Sequence, residues 1–383
     1  MELFVFLCSL IIFVSFAMMP LARRAGAPFL LIALLIGMLL GEDGPGRIQF
    51  SNFDFAFDLG SVALAVILFA GGLEPGRSVF RSAGPPASLL ATIGVLITGG
   101  ITGIAACFLM DVPWQVGLLL GATVASTDAA ATFLLVQQSC IGLRQRLKDT
   151  LLLESGLNDP MAIFLTVSLT TLVASMQTNA PVDLGGMALF LLMQASIGIV
   201  GGILGGRVLA KILDQLSLPL GTYPIMTLAG ALVIFTGVSL LGGSGFLAAY
   251  LAGISLKARL KRPIDRIVDF NEAFQWLCQM VLFLTLGLLV TPSALLQDIW
   301  PAIGCAVVLM LIARPVAVFL SVGWMGFTFR ENIFLSWVGL RGPISVGFFN
   351  IVFIIVTISL TIQGWTIAPA ARILRLGPED QSP

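Results

Sequence analysis

Glu154-Ser155-Gly156-Leu157-Asn158-Asp159-Pro160 decides how this chain is read. Leu151-Leu152-Leu153 precedes it and Met161-Ala162-Ile163-Phe164-Leu165 follows, so two carboxylates and two further polar side chains lie inside an apolar run. The apolar run before it carries Ser126-Thr127-Asp128. A carboxylate at membrane depth costs several kcal/mol, so such residues face a cavity or a partner and mark function.

Composition sets the surroundings of these acids. Of 383 residues, 58% are hydrophobic and 10% charged, against roughly 25% charged in a soluble globular domain. The chain reads as a polytopic membrane protein. Its formal net charge of zero and lack of a basic patch exclude nucleic acid as a partner. Cys8, Cys107, Cys140, Cys278 and Cys305 are scattered without a CxxC pair, so neither a disulfide framework nor a metal cofactor is expected. With no histidine, proton chemistry falls to carboxylates.

A helical crossing needs about 20 apolar residues, fewer where the helix is broken. The sequence predicts thirteen spans, near 3–22, 27–41, 55–73, 84–110, 114–137, 147–175, 184–212, 222–242, 244–258, 273–291, 300–325, 331–346 and 348–366. No stretch has the polar alternation of an outer-membrane strand, so the expected fold class is an all-α polytopic membrane protein. Seventeen of the twenty basic residues fall in alternate loops and after the last span; Arg47 lies opposite, and Arg314 and Arg341 lie within spans. The positive-inside rule makes those loops cytoplasmic, with the N-terminus outside and the C-terminus inside. Met1-Glu2 supplies no positive n-region, so span 1 reads as a helix rather than a cleaved signal.

Spans 5 and 12 are both polar in their middles, the latter at Gly339-Leu340-Arg341-Gly342-Pro343. Seven spans apart, equivalent helices would run in opposite directions. That is the sequence pointer to inverted repeats around a transporter site; the competing reading is two kinked packing helices. Residues 331–366 are short for two full crossings, which need about 42 residues with a turn. Either span 12 is a half helix or a segment near Gly347 is missing.

Ser126-Thr127-Asp128 favours local unwinding, because these side chains compete for backbone hydrogen bonds. Exposed carbonyls and a half-helix end bind cations, and Asp128 could neutralise the exposed N-terminus. On span 6, Glu154, Asn158 and Asp159 share a broad face, and Ser155 and Asp159 are one turn apart. Burial raises a carboxylate's proton affinity, so the site can hold a proton or a cation but not both. Arg314 and Arg341 each need a partner at depth. Glu154–Arg314 is the expected structural ion pair and Glu154–Arg341 the alternative, leaving Asp159 to titrate. Glu74, after span 3, lies at the expected cytoplasmic mouth, where it attracts cations or simply ends a solvated helix.

A cation channel would need a carbonyl filter or charged rings, and only one acidic cluster is present. An intramembrane aspartyl protease would use two aspartates sharing a proton. Its second motif requires Gly-x-Gly-Asp, whereas Gly156-Leu157-Asn158-Asp159 stands here.

Ser126-Thr127-Asp128-Ala129, the Glu154–Ala162 stretch, Gly339–Pro343 and Phe69-Ala70-Gly71-Gly72-Leu73-Glu74 together resemble the monovalent cation/proton antiporters. The likeness is to the NhaP-like bacterial Na+ or K+/H+ antiporters, including the cell-volume-regulation type, and it covers nearly the whole chain. It implies a homodimer in the bacterial inner membrane that serves pH homeostasis. It implies a dimerisation domain (1–83 and 184–299), a core domain (84–175 and 300–366) with crossed, broken helices 5 and 12, and elevator-type alternating access. Asp159 would carry cation and proton, Thr127 and Ser155 would be further ion ligands, and Asp128 would stabilise the helix break, with Arg341 as the charge at the second break. Asn158 stands where electrogenic relatives have a second aspartate, which implies electroneutral one-for-one exchange. No cofactor is implied beyond the transported ions. Residues 367–383 form a short cytoplasmic tail, with the regulatory domain of the cell-volume branch absent or not covered.

Overall fold

The computed structural model describes residues 2–18, 29–48, 50, 52–127, 143–177, 184–338, 349–374 and 376, and every regular element among them is helical. In chain order these are α1 (Glu2–Ala17), α2 (Phe29–Leu40), α3 (Phe53–Leu73), α4 (Arg77–Leu89), a π turn (Leu90–Gly94), α5 (Val95–Met110) and α6 (Trp114–Thr123). Then follow α7 (Gln145–Gln177), α8 (Leu184–Gln215), α9 (Thr222–Leu240), α10 (Gly245–Arg259) and α11 (Asp265–Leu289). The chain continues through α12 (Pro292–Val308), a second π turn (Leu309–Ala313), α13 (Arg314–Val322), α14 (Phe329–Trp337) and α15 (Phe349–Ile373).

Each interval expected to span the membrane contains helix. Eight helical stretches among the described residues are long and apolar enough to cross a bilayer, including Val79–Met110 and Gln145–Ala174, and Leu30–Leu40 is a shorter apolar helix. Several starts follow from local chemistry. Asn52 accepts from the Phe55 amide at 3.0 Å at the start of α3. Thr328 and Glu331 form a reciprocal capping box on α14, which satisfies two amide donors that a helix start leaves open. Large apolar side chains point outward along the spans: Phe108 is 85% exposed, Leu240 88% and Val233 69%. Exposure on that scale would be an aggregation hazard in water; in a bilayer it is contact with lipid.

Inside, the apolar side chains gather in two principal clusters. The larger joins α2, α5–α7 and α11–α15, with Leu30, Leu120, Leu151, Met280, Leu309, Phe334 and Ile355 all buried. The other joins α3 to α8–α11 through Phe69, Leu73, Leu213, Tyr223, Ala252 and Ile267. The α3–α10 crossing within the second cluster is very close: a Cβ on Gly72 would collide with the Tyr250 carbonyl, and one on Gly253 with the Phe69 carbonyl. Two glycines therefore set the separation of these helices, and α7 passes beside both of them.

Candidate functional site

α6 leaves helical geometry after Thr123, and residues 124–127 form a non-helical turn. That turn carries Ser126 and Thr127, both 1% exposed, toward the middle of α7. There the Asn158 amide donates to Thr127 Oγ1 at 2.5 Å, and Thr127 Oγ1 and Ser155 Oγ share a hydrogen bond at 3.1 Å. The unwound end of one helix and the polar face of another thus meet through three side chains.

Asn158 is fully buried, and its Oδ1 has no hydrogen-bond partner among the described residues. An unpaired buried acceptor costs about 1–3 kcal/mol, so this oxygen would gain from a donor or a cation. Two of the four donor hydrogens here are used, one from the Asn158 amide on Thr127 and one hydroxyl hydrogen between Thr127 and Ser155. The oxygens of these three side chains are neutral ligands of the kind hard cations take. Asp159 follows on the same turn of α7 and is partly buried.

Glu154 and Arg314 form a buried ion pair one turn away. Arg314 Nη1 lies 2.6 Å from Glu154 Oε1, Nη2 donates to Oε2 at 2.9 Å, and the two side chains are 0% and 2% exposed. Arg314 opens α13 immediately after the second π turn. Pro315 has no amide to donate, so the regular ladder fails there, and a widened turn accommodates the loss. π turns recur at functional positions; this one sets the guanidinium against Glu154. Both Glu154 oxygens contact Arg314, at 2.6 and 2.9 Å, whereas the alternative Glu154–Arg341 pairing falls on a residue outside the described ones. Asp128 and Arg341 themselves lie outside the described residues, as do the short stretch near Gly347 and the second half of span 5.

Glu74 caps α3 one residue beyond its last turn. Lys257 of α10 donates to the Glu74 backbone carbonyl at 2.7 Å, as cations favour a helix C-terminus. Burial, then the charge of Glu272, push the Glu74 carboxyl up to about 7, against the opposing pull of Lys257. Glu74 is therefore partly buried in a mixed-charge cluster rather than freely solvated.

Two residues of this region escaped the sequence reading. Tyr250 of α10 is 1% exposed and lies against Gly156 of α7. It is one of only two tyrosines, and a tyrosine in the middle of an apolar helix is a signal, because its hydroxyl seeks a polar neighbour. Lys257 was counted only as a loop charge.

A buried ion pair beside an unwound helix end, within a bundle of apolar helices, defines a multi-pass membrane protein with a polar centre. The chain belongs to the sodium/hydrogen exchanger transmembrane family, whose profile matches residues 10–373. It is 42% identical over 380 residues to the K(+)/H(+) antiporter NhaP of Alkalimonas amylolytica, covering 95% of this chain and 65% of that protein. The K(+)/H(+) antiporter NhaP2 of Shewanella sp. (strain ANA-3) gives the same identity and coverage. The chain thus spans 65% of the length of these curated relatives. The Na(+)/H(+) antiporter NhaH of Halobacillus dabanensis is 26% identical, with 95% of this chain and 96% of that protein covered. Among solved structures, the sodium proton antiporter MjNhaP1 of Methanocaldococcus jannaschii shares the fold, with a TM-score of 0.73 at 23% identity, covering 99% of this chain and 94% of that one.

Proposed function

We propose that this protein is a secondary active antiporter of the bacterial inner membrane that exchanges a monovalent cation for H+. The observation that carries the reading is the orphan Asn158 Oδ1, buried beside the Thr127 and Ser155 hydroxyls with Asp159 on the same helical turn. Asp159 takes either the cation or the proton, and Thr127, Ser155 and Asn158 supply neutral oxygens. Asp128 and Arg341 balance the ends of the two broken helices. Because Glu154 is neutralised by Arg314, one carboxylate changes occupancy per cycle, which makes the exchange one-for-one and electroneutral.

Thirteen crossings, an outside N-terminus and a cytoplasmic C-terminus complete the proposed topology. The second apolar cluster supports a dimerisation domain (1–83 and 184–299), and the larger one supports a core domain (84–175 and 300–366), with α2 and α11 helices contributing to the larger cluster across that division. Elevator-type movement of the core past a homodimeric scaffold would expose the site to each side in turn, for pH homeostasis. K+ is the first cation to test, since the relatives at 42% identity are named for K+ and the one at 26% for Na+. Glu74 sits at the mouth as an attractor.

The test is dequenching of an internal pH dye in proteoliposomes on adding K+, Na+ or Li+ in turn. Cation-dependent proton movement supports the proposal, and its absence with all three overturns it.

A further inference from the structure

Gly156 and Tyr250 meet where two parts of the protein must pass each other if the antiporter reading holds, and the inference here rests on that reading. Gly156 belongs to α7, on the turn between Ser155 and Asn158. Tyr250 belongs to α10 and sits in a small cluster with Leu68 of α3 and Ile163 of α7. A Cβ built on Gly156 would lie 2.7 Å from Tyr250 Cε2, 2.8 Å from its hydroxyl oxygen and 3.0 Å from Cζ. The ring therefore fills the place of a missing side chain.

Three further facts bear on this contact. Tyr250 is 1% exposed, so the ring is enclosed by protein in this conformation. Its backbone carbonyl is the atom against which Gly72 is packed, so α3 and α10 hold the tyrosine's backbone at close approach. Pro160 lies one turn beyond Gly156 and cannot donate to its carbonyl, so α7 is weakened at this very turn.

We propose that Tyr250, seated in the notch left by Gly156, is the scaffold contact that holds the ion-binding turn of α7 in register, and that turnover requires the ring to leave and re-enter that notch. Tyr250 is a positioning residue: it acts through the α7 backbone. A methyl group at 156 would press on the ring in the conformation described here and raise the free energy of that state against the other states of the cycle. Cation affinity, set by Thr127, Ser155, Asn158 and Asp159, would change little.

The experiment measures cation-driven proton movement in proteoliposomes for the full chain, with Gly156→Ala, Tyr250→Ala and Tyr250→Phe alone and combined. Gly156→Ala is expected to lower kcat about tenfold, with KM for the cation within about twofold. Tyr250→Ala in the Gly156→Ala background restores most of the rate, because the obstructing ring is gone. Tyr250→Phe in the same background does not, because Cε2 and Cζ remain. Gly156→Ala turning over at the wild-type rate, or a loss that Tyr250→Ala fails to relieve, overturns the proposal. Thermal unfolding of wild type, Gly156→Ala, Tyr250→Ala and their double variant in detergent reads the contact independently of transport: non-additive Tm changes are expected, and additive ones overturn it. If the wild type moves no protons with any cation, the antiporter reading fails instead, while the unfolding cycle still decides the contact.

Discussion

Arg314 holds Glu154 through both terminal nitrogens, 2.6 Å from Nη1 to Oε1 and 2.9 Å from Nη2 to Oε2, with neither side chain more than 2% exposed. The pair ties α13 to α7 across 160 residues of chain. Its charge-assisted hydrogen bond from Nη2 to Oε2 gives direction as well as attraction. On the proposed reading, it also occupies the one acid of the Glu154–Asp159 stretch that would otherwise compete with Asp159 for a cation.

Breaking the pair from one side leaves an uncompensated buried charge. Glu154→Gln or Arg314→Met alone is expected to cost about 3–5 kcal/mol, and the double substitution clearly less than the sum of the two. Thermal unfolding in detergent checks this. Additive losses would show that the two groups do not act as a unit.

Asn158 supplies both the amide that fixes Thr127 and the oxygen without a partner. Asn158→Leu keeps the approximate volume and removes both. It is expected to raise KM for the cation about tenfold or more, as loss of a buried polar ligand does, with the protein still folded. Steady-state exchange against cation concentration measures it, and an unchanged KM would remove Asn158 from the ligand set.

Glu74 gives stability a pH dependence of unusual sign. An unfolded glutamate ionises near 4.5, whereas the folded protein holds this proton until about 7, chiefly through burial. Between those values the folded state binds more protons, so stability falls as pH rises and levels off above about 7. Glu74→Gln should flatten that window in a series of Tm against pH. A wild-type Tm that rises from pH 5 to 7, or a variant that keeps the same slope, would contradict the assignment.

The α3–α10 crossing depends on two missing side chains. Gly72→Ala or Gly253→Ala forces a methyl group into backbone that has nowhere to go, and each is expected to destabilise by about 1–3 kcal/mol. Unfolding measurements test it; a neutral Gly72→Ala would mean that the helices separate freely there.

Much of this architecture was legible in the residues themselves. Apolar runs interrupted by basic loops mark where helix occurs, because a bilayer imposes length and leaves the charges outside. The approach of Thr127 to Ser155 and Asn158 could be anticipated, since each polar side chain in such surroundings needs another. Glu154 and Arg314 follow from the same need, and their pairing is the one expected from the residues, with Arg341 as the alternative. The Tyr250–Gly156 contact was hidden for a different reason: glycine carries no side chain to announce a neighbour, and a lone tyrosine among Leu and Ala reads as packing. The π turns at Leu90–Gly94 and Leu309–Ala313 have no residue signature beyond the Arg314-Pro315 step. The Lys257 contact to the Glu74 carbonyl depends on the close α3–α10 crossing, which sequence spacing does not specify.

The most direct measurement is cation-driven proton movement in proteoliposomes by Asp159→Asn, beside wild type and Asp159→Glu. The amide cannot bind and release a proton, so Asp159→Asn should insert, keep a wild-type-like Tm and move no protons with K+ or Na+. Asp159→Glu, which keeps the carboxyl group, should retain measurable exchange. Exchange at the wild-type rate by Asp159→Asn would contradict the account at its centre.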